Sequence, residues 1–356
     1  MINTDDLRIA NIDPIIAPLL LIKELPVNEK AANLISATRE HAGNILKGRD
    51  PRLLVVVGPC SIHDPGAALE YGQRLRGIAA KYKDELLLVM RVYFEKPRTT
   101  IGWKGLINDP DMDNTFDINR GLRAARKLLL DLAAIDLPAG TEFLDTISPQ
   151  YIADLVSWGA IGARTTESQI HRQLASGLSM PVGFKNGTGG SIQIAVDAIN
   201  AARFPHHFLS VTKHGVSAIV STVGNDACHL ILRGSSTGPN CDPESIAKAV
   251  EQLESAGLSP HLMVDCSHGN SRKDYRQQPA VAEEIANQIA EGSDAITAVM
   301  IESNLIEGAQ SASDSDSLVY GKSITDACVG WDTTVDMLNT FATAVQKRQQ
   351  KRGGRG

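Results

Sequence analysis

Four side chains far apart in the chain, Cys60, His268, Glu302 and Asp326, offer a thiolate, an imidazole and two carboxylates. Together they make a mixed sulfur, nitrogen and oxygen set able to hold a divalent transition metal. Structural zinc sites more often use several cysteines. A carboxylate-rich set with one thiolate suits a Lewis acid with room for a substrate oxygen. No short metal-binding spacing joins the four, and each has a plainer use. Cys60 is also a small buried apolar residue, His268 a partner for nearby backbone, and Glu302 a partner for a surface lysine. A second group, Arg91, Lys96, Arg98, Lys104, Arg164, Lys185 and Arg233, is cationic. Arginine forks match phosphate and carboxylate, and lysines supply compact charge. Gathered at one place, these cations would repel one another unless anions bind there. They exceed what a single phosphate requires, which points to two anionic substrates or one carrying several charges.

What would gather them is their position behind a series of apolar runs. Predicted strands cover 53–57, 86–93, 141–144, 160–163, 181–184, 229–232, 262–265 and 296–301, mostly as near-continuous apolar stretches. Such runs suit parallel strands covered on both faces. Helical patterns lie between them, among them PGAALEYGQRLRGIAAKY, NRGLRAARKLLLDLAA, SPQYIADLVSW and PESIAKAVEQLESAG. The last has Pro at its start, Glu in its first turn and a stop at Gly257. Eight strands alternating with helices predict an α/β fold, a (β/α)8 TIM barrel, for which roughly 250 residues is typical. An open doubly wound sheet is the alternative, but no GxGxxG follows the first strand.

Active sites of such barrels lie at the C-terminal ends of the strands. Cys60 follows the first strand, Arg91 lies in the second with Lys96 and Arg98 behind it, and Glu142 lies in the third. Arg164, Lys185 and Arg233 close the next three; His268 follows the seventh and Glu302 the eighth. Any one of these is an ordinary loop residue, but independent surface residues need not all fall at one end of one barrel. His63 and Asp64, just behind Cys60, are expected to shape the loop.

Two pieces do not fit the alternation. Residues 1–50 precede the barrel as an N-terminal extension, and about 206–226 reads as a β-hairpin around Lys213-His214-Gly215, inserted before the sixth barrel strand. The barrel proper is assigned 51–346, and 347–356 form a basic tail, expected to be a frayed, solvated terminus.

Composition limits the function classes. The 356 residues are 43% apolar and 21% charged, and no apolar stretch approaches the ~20 residues of a bilayer span. The best stretch, IIAPLLLI, is broken by Pro18, and the acidic N-terminus lacks the pattern of a secretory signal. Five scattered cysteines do not suggest a disulfide framework, so a reducing, cytoplasmic setting is expected. The net charge is −6, and setting aside the five basic residues of the tail leaves −11. Neither nucleic acid nor membrane is an expected partner of so acidic a body.

The segments GPCSIHDP, MRVYFEKPRTTIGWKGLINDPDMDN, WGAIGARTTESQIHRQLASG, PVGFKNGT, LRG, DCSHGNS, MIESNLIEG and YGKSITDAC closely resemble type I 3-deoxy-D-arabino-heptulosonate-7-phosphate (DAHP) synthases. The likeness runs in order from about Asp5 to the last helix. It implies an aldol-type condensation of phosphoenolpyruvate with erythrose 4-phosphate, the first step of the shikimate pathway. It further implies a divalent metal (Mn, Fe, Co or Zn, with Mn favoured) held by Cys60, His268, Glu302 and Asp326. Cys60, His268 and Asp326 then join Lys96 among the catalytic residues. By the same resemblance Arg164 and Arg233, with Ala163 beside them, meet the phosphate of phosphoenolpyruvate, and Glu142 acts through water. Arg91 and Lys185 meet its carboxylate. Lys96 stands near the aldehyde of the second substrate, and Arg98 with Thr99 at its phosphate. Lys185 has an alternative use as a Schiff-base lysine, which its cationic surroundings disfavour. Two departures from the family pattern are Gly189, where aspartate is usual, and GSSTGPNC after Arg233, where GGKxPNY is more familiar.

In this family the extra segments form a remote site for an aromatic amino acid. Candidates are Asp6, Pro149, Gln150, Ser179, Phe208, Ser210 and Val220. Phenylalanine is the favoured inhibitor because NTDDLRI and FLSVTK resemble the phenylalanine-sensitive form. The resemblance implies a homodimer or homotetramer. Two rival functions are a related synthase of the 3-deoxy-octulosonate 8-phosphate type and a non-catalytic, aromatic-amino-acid-binding barrel. The long KPRTTIGWKGLINDP segment argues against the first. The survival of Cys60, Lys96, His268 and Glu302 together argues against the second.

Overall fold

The N-terminal extension forms two helices, α1 (Pro18–Glu24) and α2 (Glu29–Leu46). Asn28 caps α2 by accepting from the Ala31 N–H at 2.8 Å, and Gly48, in the left-handed region at φ 68°, turns the chain into the barrel. The computed structural model describes residues 2–98, 100–312 and 318–353. Thr99, of the candidate residues, lies outside these.

The barrel begins with β1 (Leu53–Gly58), α3 (Pro65–Lys81), β2 (Leu86–Arg91), α4 (Ile118–Ala134) and β3 (Ala139–Glu142). It continues through the short α5 (Pro149–Ile152), β4 (Trp158–Ile161), α6 (Gln169–Gly177), β5 (Val182–Lys185) and α7 (Gln193–Ala202). The ribbon β6 (His207–Val211) and β7 (Ser217–Ser221) comes next. Then follow β8 (Cys228–Leu232), α8 (Pro243–Ser255), β9 (Leu262–Asp265), α9 (Gln278–Glu291) and β10 (Ile296–Glu302). A small pair, β11 (Ile306–Ala309) and β12 (Lys322–Ser323), precedes α10 (Trp331–Gly353).

Eight strands close in the order β1-β10-β9-β8-β5-β4-β3-β2, every pair parallel. This is the predicted (β/α)8 barrel. The ribbon β6–β7 is antiparallel and shares no ladder with it. The barrel's outer faces are buried under the helices, and its interior holds a separate cluster that includes Leu54, Val56, Trp158, Ile231, Met263 and Met300. Ala42, Ile45 and Leu46 of α2 join that cluster from below and form the barrel's floor. Each buried leucine, isoleucine, valine or methionine of the cluster contributes about 1.5–3 kcal/mol by leaving water.

Three expectations are corrected. The third and fourth strands begin earlier than 141 and 160, because Gly140 pairs with Trp158. Trp158 therefore starts a strand instead of ending a helix; its buried indole N–H donates to His229 Nε2 at 3.0 Å inside the barrel. The basic tail is not frayed over its described length: α10 continues to Gly353, and Arg348 is buried.

Candidate active site at the barrel mouth

The register of the ladder brings the metal-type ligands together. Gly58 of β1 pairs with Glu302 of β10, so Cys60, two residues on, stands beside the Glu302 carboxylate. Cys60, Glu302 and Asp326 offer ligand atoms that all lie within 4.8 Å of one another. His268 completes the group from the end of β9, with Nε2 3.8 Å from Glu302 Oε1. Its backbone is held in the left-handed region at φ 57°. The other ring nitrogen, Nδ1, lies 2.9 Å from Asp265 Oδ2 and 2.7 Å from the Ser267 hydroxyl. A carboxylate behind one nitrogen fixes the ring and leaves the other to ligate, as in metal-bound histidines. The donor set fits a divalent transition metal on its chemistry: a thiol, an imidazole and two carboxylates, two of the four fully buried. Burial and the Glu302 charge push the Cys60 thiol up, while Lys96 opposes them.

Lys96 points into the same group, with Nζ 3.2 Å from Cys60 Sγ and 3.3 Å from the Cys60 carbonyl. Arg91 lies beneath, 1% exposed. Its guanidinium donates to Glu302 Oε1 at 2.9 Å, to the carbonyls of Pro59 and Cys60, and to Met300 sulfur, and stacks 3.6 Å over the Tyr93 ring. One of its five N–H groups therefore remains for a substrate. Lys185 pairs with Asp265 at 3.0 Å, both buried. The Asp265 carboxyl is held well below its usual range by Lys185, His268 and Ser267, against its burial.

Around this buried layer stand arginines with no carboxylate partner among the described residues. Arg233, 9% exposed, makes no side-chain hydrogen bond or ion pair among the described residues; burial lowers its pKa. Among the described residues Arg164 donates only to the Pro97 carbonyl, at 3.2 Å. Arg98 is exposed near Gly102. Ala163 is half-buried beside Arg164. Glu142 is buried with Oε1 unpartnered, and a Cβ at Gly162 would stand 2.2 Å from that oxygen. Only glycine leaves it room. The unusual loop after Arg233 is a turn closed by the Ser235 N–H on the Gly238 carbonyl and tied to Gly234 by Asn240. Asp64 indeed shapes its loop, accepting from Gly66 and Ala67 as the cap of α3.

Sequence reasoning missed Asp265, Tyr93 and Glu95. Asp265 carried a signal, an acid three residues before a histidine at the end of an apolar run. Glu95 is buried, accepts from the Asp145 N–H at 3.2 Å and bonds the Ser148 hydroxyl at 2.9 Å. Burial pushes its pKa up to about 8.

Residues 24–339 match the family model described as the DAHP synthetase I family. The chain belongs to that family. It is 59% identical to the Phe-sensitive phospho-2-dehydro-3-deoxyheptonate aldolase of Escherichia coli K12, over 97% of this chain and 98% of that one. It is 55% identical to the tyrosine-inhibited enzyme of Candida albicans, over 97% and 95%. The solved structure of the Francisella tularensis phospho-2-dehydro-3-deoxyheptonate aldolase superposes with a TM-score of 0.94 at 51% identity, covering 96% of this chain and 99% of that one. As a DAHP synthase, the chain condenses phosphoenolpyruvate with erythrose 4-phosphate under feedback control.

Candidate effector residues are only partly brought together. Phe208 and Val220 sit opposite each other on the half-buried face of the ribbon, with Ser210 next along it. Pro149 and Gln150 adjoin it, because Lys213 Nζ donates to the Gln150 carbonyl at 2.5 Å. Asp6 lies in the exposed N-terminal stretch and Ser179 on the exposed loop after α6, neither hydrogen-bonded to the ribbon.

Proposed function

We propose that the mouth residues divide the DAHP synthase reaction as follows. Arg164 and Arg233 receive the phosphate of phosphoenolpyruvate, and Lys185 with the remaining Arg91 N–H receives its carboxylate. Arg98 takes the phosphate of erythrose 4-phosphate. Cys60, His268, Glu302 and Asp326 hold a divalent metal, with Mn favoured, and when bound it supplies Lewis acidity toward the aldehyde oxygen. Lys96, within reach of the same centre, donates a hydrogen bond to that oxygen as negative charge develops on it. The methylene carbon of phosphoenolpyruvate then bonds to the aldehyde carbon, the oxygen takes a proton, water adds at the enol carbon, and phosphate leaves. The cations hold two mutually repelling phosphates in reacting geometry. The observation that carries this division is the set of unpaired arginines around a buried thiol–imidazole–carboxylate cluster.

The half-buried ribbon face beside Gln150 is proposed to take the aromatic effector, phenylalanine by preference, with Asp6 and Ser179 completing the pocket. The outer face carries Leu209 and Ile219, 85% and 75% exposed, and is proposed to be covered in a homodimer or homotetramer. Residues 1–50 and the ribbon then serve regulation and assembly, and 51–346 catalysis. Among the described residues no helix is long and apolar enough to cross a membrane, and all five cysteines are free. Both fit a cytoplasmic setting.

The test is loss of the enolpyruvate ultraviolet absorbance with both substrates present, before and after EDTA and again with Mn²⁺. Loss that stops with chelator and returns with metal is expected. Turnover that ignores the chelator would overturn the role given to Cys60.

A further inference from the structure

The ladder that carries Glu302 ends short of it on one side. β10 pairs with β9 up to Met300, opposite Asp265, and the Met300 carbonyl accepts from the Cys266 N–H at 2.9 Å. Backbone groups of alternate residues in a strand face the same neighbour, so the N–H and C=O of Glu302 also point to the β9 side. There β9 has ended at Asp265, and the chain turns off through His268 at φ 57°. Buried backbone groups left without partners are costly. Gln278, the first residue of α9 and fully buried, fills the gap. Its Oε1 accepts from the Glu302 N–H and its Nε2 donates to the Glu302 carbonyl, both at 3.0 Å. The carboxamide presents the pair of groups that one more β9 residue would have offered. The Glu302 N–H also fixes which way the amide lies, since the reverse would set donor against donor. Val329 N–H is a second donor to the Glu302 carbonyl, at 3.0 Å, whereas the N–H has its acceptor in Gln278. On the other side the strand keeps its register, Gly58 pairing with Glu302 and its carbonyl taking the Ser303 N–H at 2.9 Å.

We propose that Gln278 is a positioning residue for the candidate metal centre: it holds the end of β10 so that the Glu302 carboxylate stands beside Cys60, His268 and Asp326. This rests on the ligand set proposed above. Ala298 and Met300 face the barrel interior, and Glu302, next in that alternation, continues it toward the mouth. Among the described residues the one hydrogen bond to its carboxylate comes from Arg91, at 2.9 Å on Oε1. The aim of the carboxylate therefore depends on how firmly the backbone behind it is held. Without Gln278 the last residue of β10 loses its hold on the β9 side. The carboxylate is then free to leave the group whose ligand atoms now lie within 4.8 Å of one another.

Mn²⁺ binding to the full chain, first stripped of metal, tests this, with the free ion followed by electron paramagnetic resonance. Gln278→Met keeps the length of the side chain and removes both polar atoms. It should raise the Mn²⁺ Kd about 10–100-fold, as when the support of a metal ligand is lost. Gln278→Asn, one methylene short of the strand, should move the Kd the same way by a smaller factor, and it serves if the first variant does not fold. Asn225→Ala is the control for general loosening. Its buried carboxamide, ahead of β8, donates to the carbonyls of Ala175, Leu178 and Met180. That change should lower Tm and leave the Mn²⁺ Kd where it was. Mn²⁺ bound equally well by the wild-type chain and the Gln278 variants would overturn the proposal alone. An equal loss of affinity in Asn225→Ala would overturn it too, by making Gln278 one more structural amide. A wild-type chain that binds no Mn²⁺ would overturn the ligand set itself, and this role with it.

Discussion

The two ends of this barrel use the same residue types in opposite ways. At the mouth, Arg164, Arg233 and Arg98 have no carboxylate partner among the described residues, and the carboxylates Glu302 and Asp326 crowd round a thiol and an imidazole. At the floor, Arg52 and Arg352 are paired, Arg348 is spent largely on carbonyls, and the interior is closed by α2 and by a neutral His229 bonded to Trp158. An arginine alone therefore says little. What it is left to bind, after its protein partners are counted, separates a substrate cation from a structural one.

That contrast can be broken by mutation at either end. Lys96→Met should lower kcat about 10³-fold with little change in stability, because it removes a donor aimed at developing charge. Steady-state kinetics beside a thermal melt would check it, and a large loss of Tm would make Lys96 structural. Asp265→Asn should cost about 3–5 kcal/mol of stability by stranding the buried Lys185. It should also weaken metal binding 10–100-fold by freeing the His268 ring, as chelator titration would report. Arg233→Ala should raise the KM for phosphoenolpyruvate about 10–100-fold and leave Tm nearly unchanged, since no protein partner is lost.

The gentlest probe is pH. His229 has its pKa lowered to about 4 by burial, against about 6.5 when unfolded. The unfolded chain takes up a proton that the fold refuses, so this contribution is intact above pH 6.5 and fades as pH falls toward 4, by up to roughly 3 kcal/mol. Glu95, near the mouth, behaves in the reverse sense. Its pKa is raised to about 8, so the fold keeps a proton the unfolded chain has released, and stability declines as pH rises from about 4.5 to 8. His229→Asn should flatten the acid limb of a Tm–pH profile and Glu95→Gln the alkaline limb. If both substitutions flatten the same limb, the contrast between the ends fails.

Much of the mouth was legible because parallel strands announce themselves as continuous apolar runs, and the residue behind each run must lie at one end of the barrel. Cys60, Lys185, Arg233 and Glu302 follow from that rule. Strand starts were less legible: Trp158 fits the apolar stripe of a helix as well as a strand, and only its ladder pairing with Gly140 decides. Glu95 and Arg348 were hidden for a shared reason. Each acts through a partner distant in sequence, and spacing does not encode which side chains meet across a closed sheet. The small β11–β12 pair was missed because strands of four and two residues carry too little periodicity to be read.

The ribbon β6–β7 exchanges no ladder hydrogen bond with the barrel. Its residues can consequently drift, and the effector preference proposed for it be rewritten, without shifting the register that sets Gly58 against Glu302. On the proposed division regulation and chemistry share a chain but not a sheet, so the sensor can be retuned over generations while the reacting groups keep their aim.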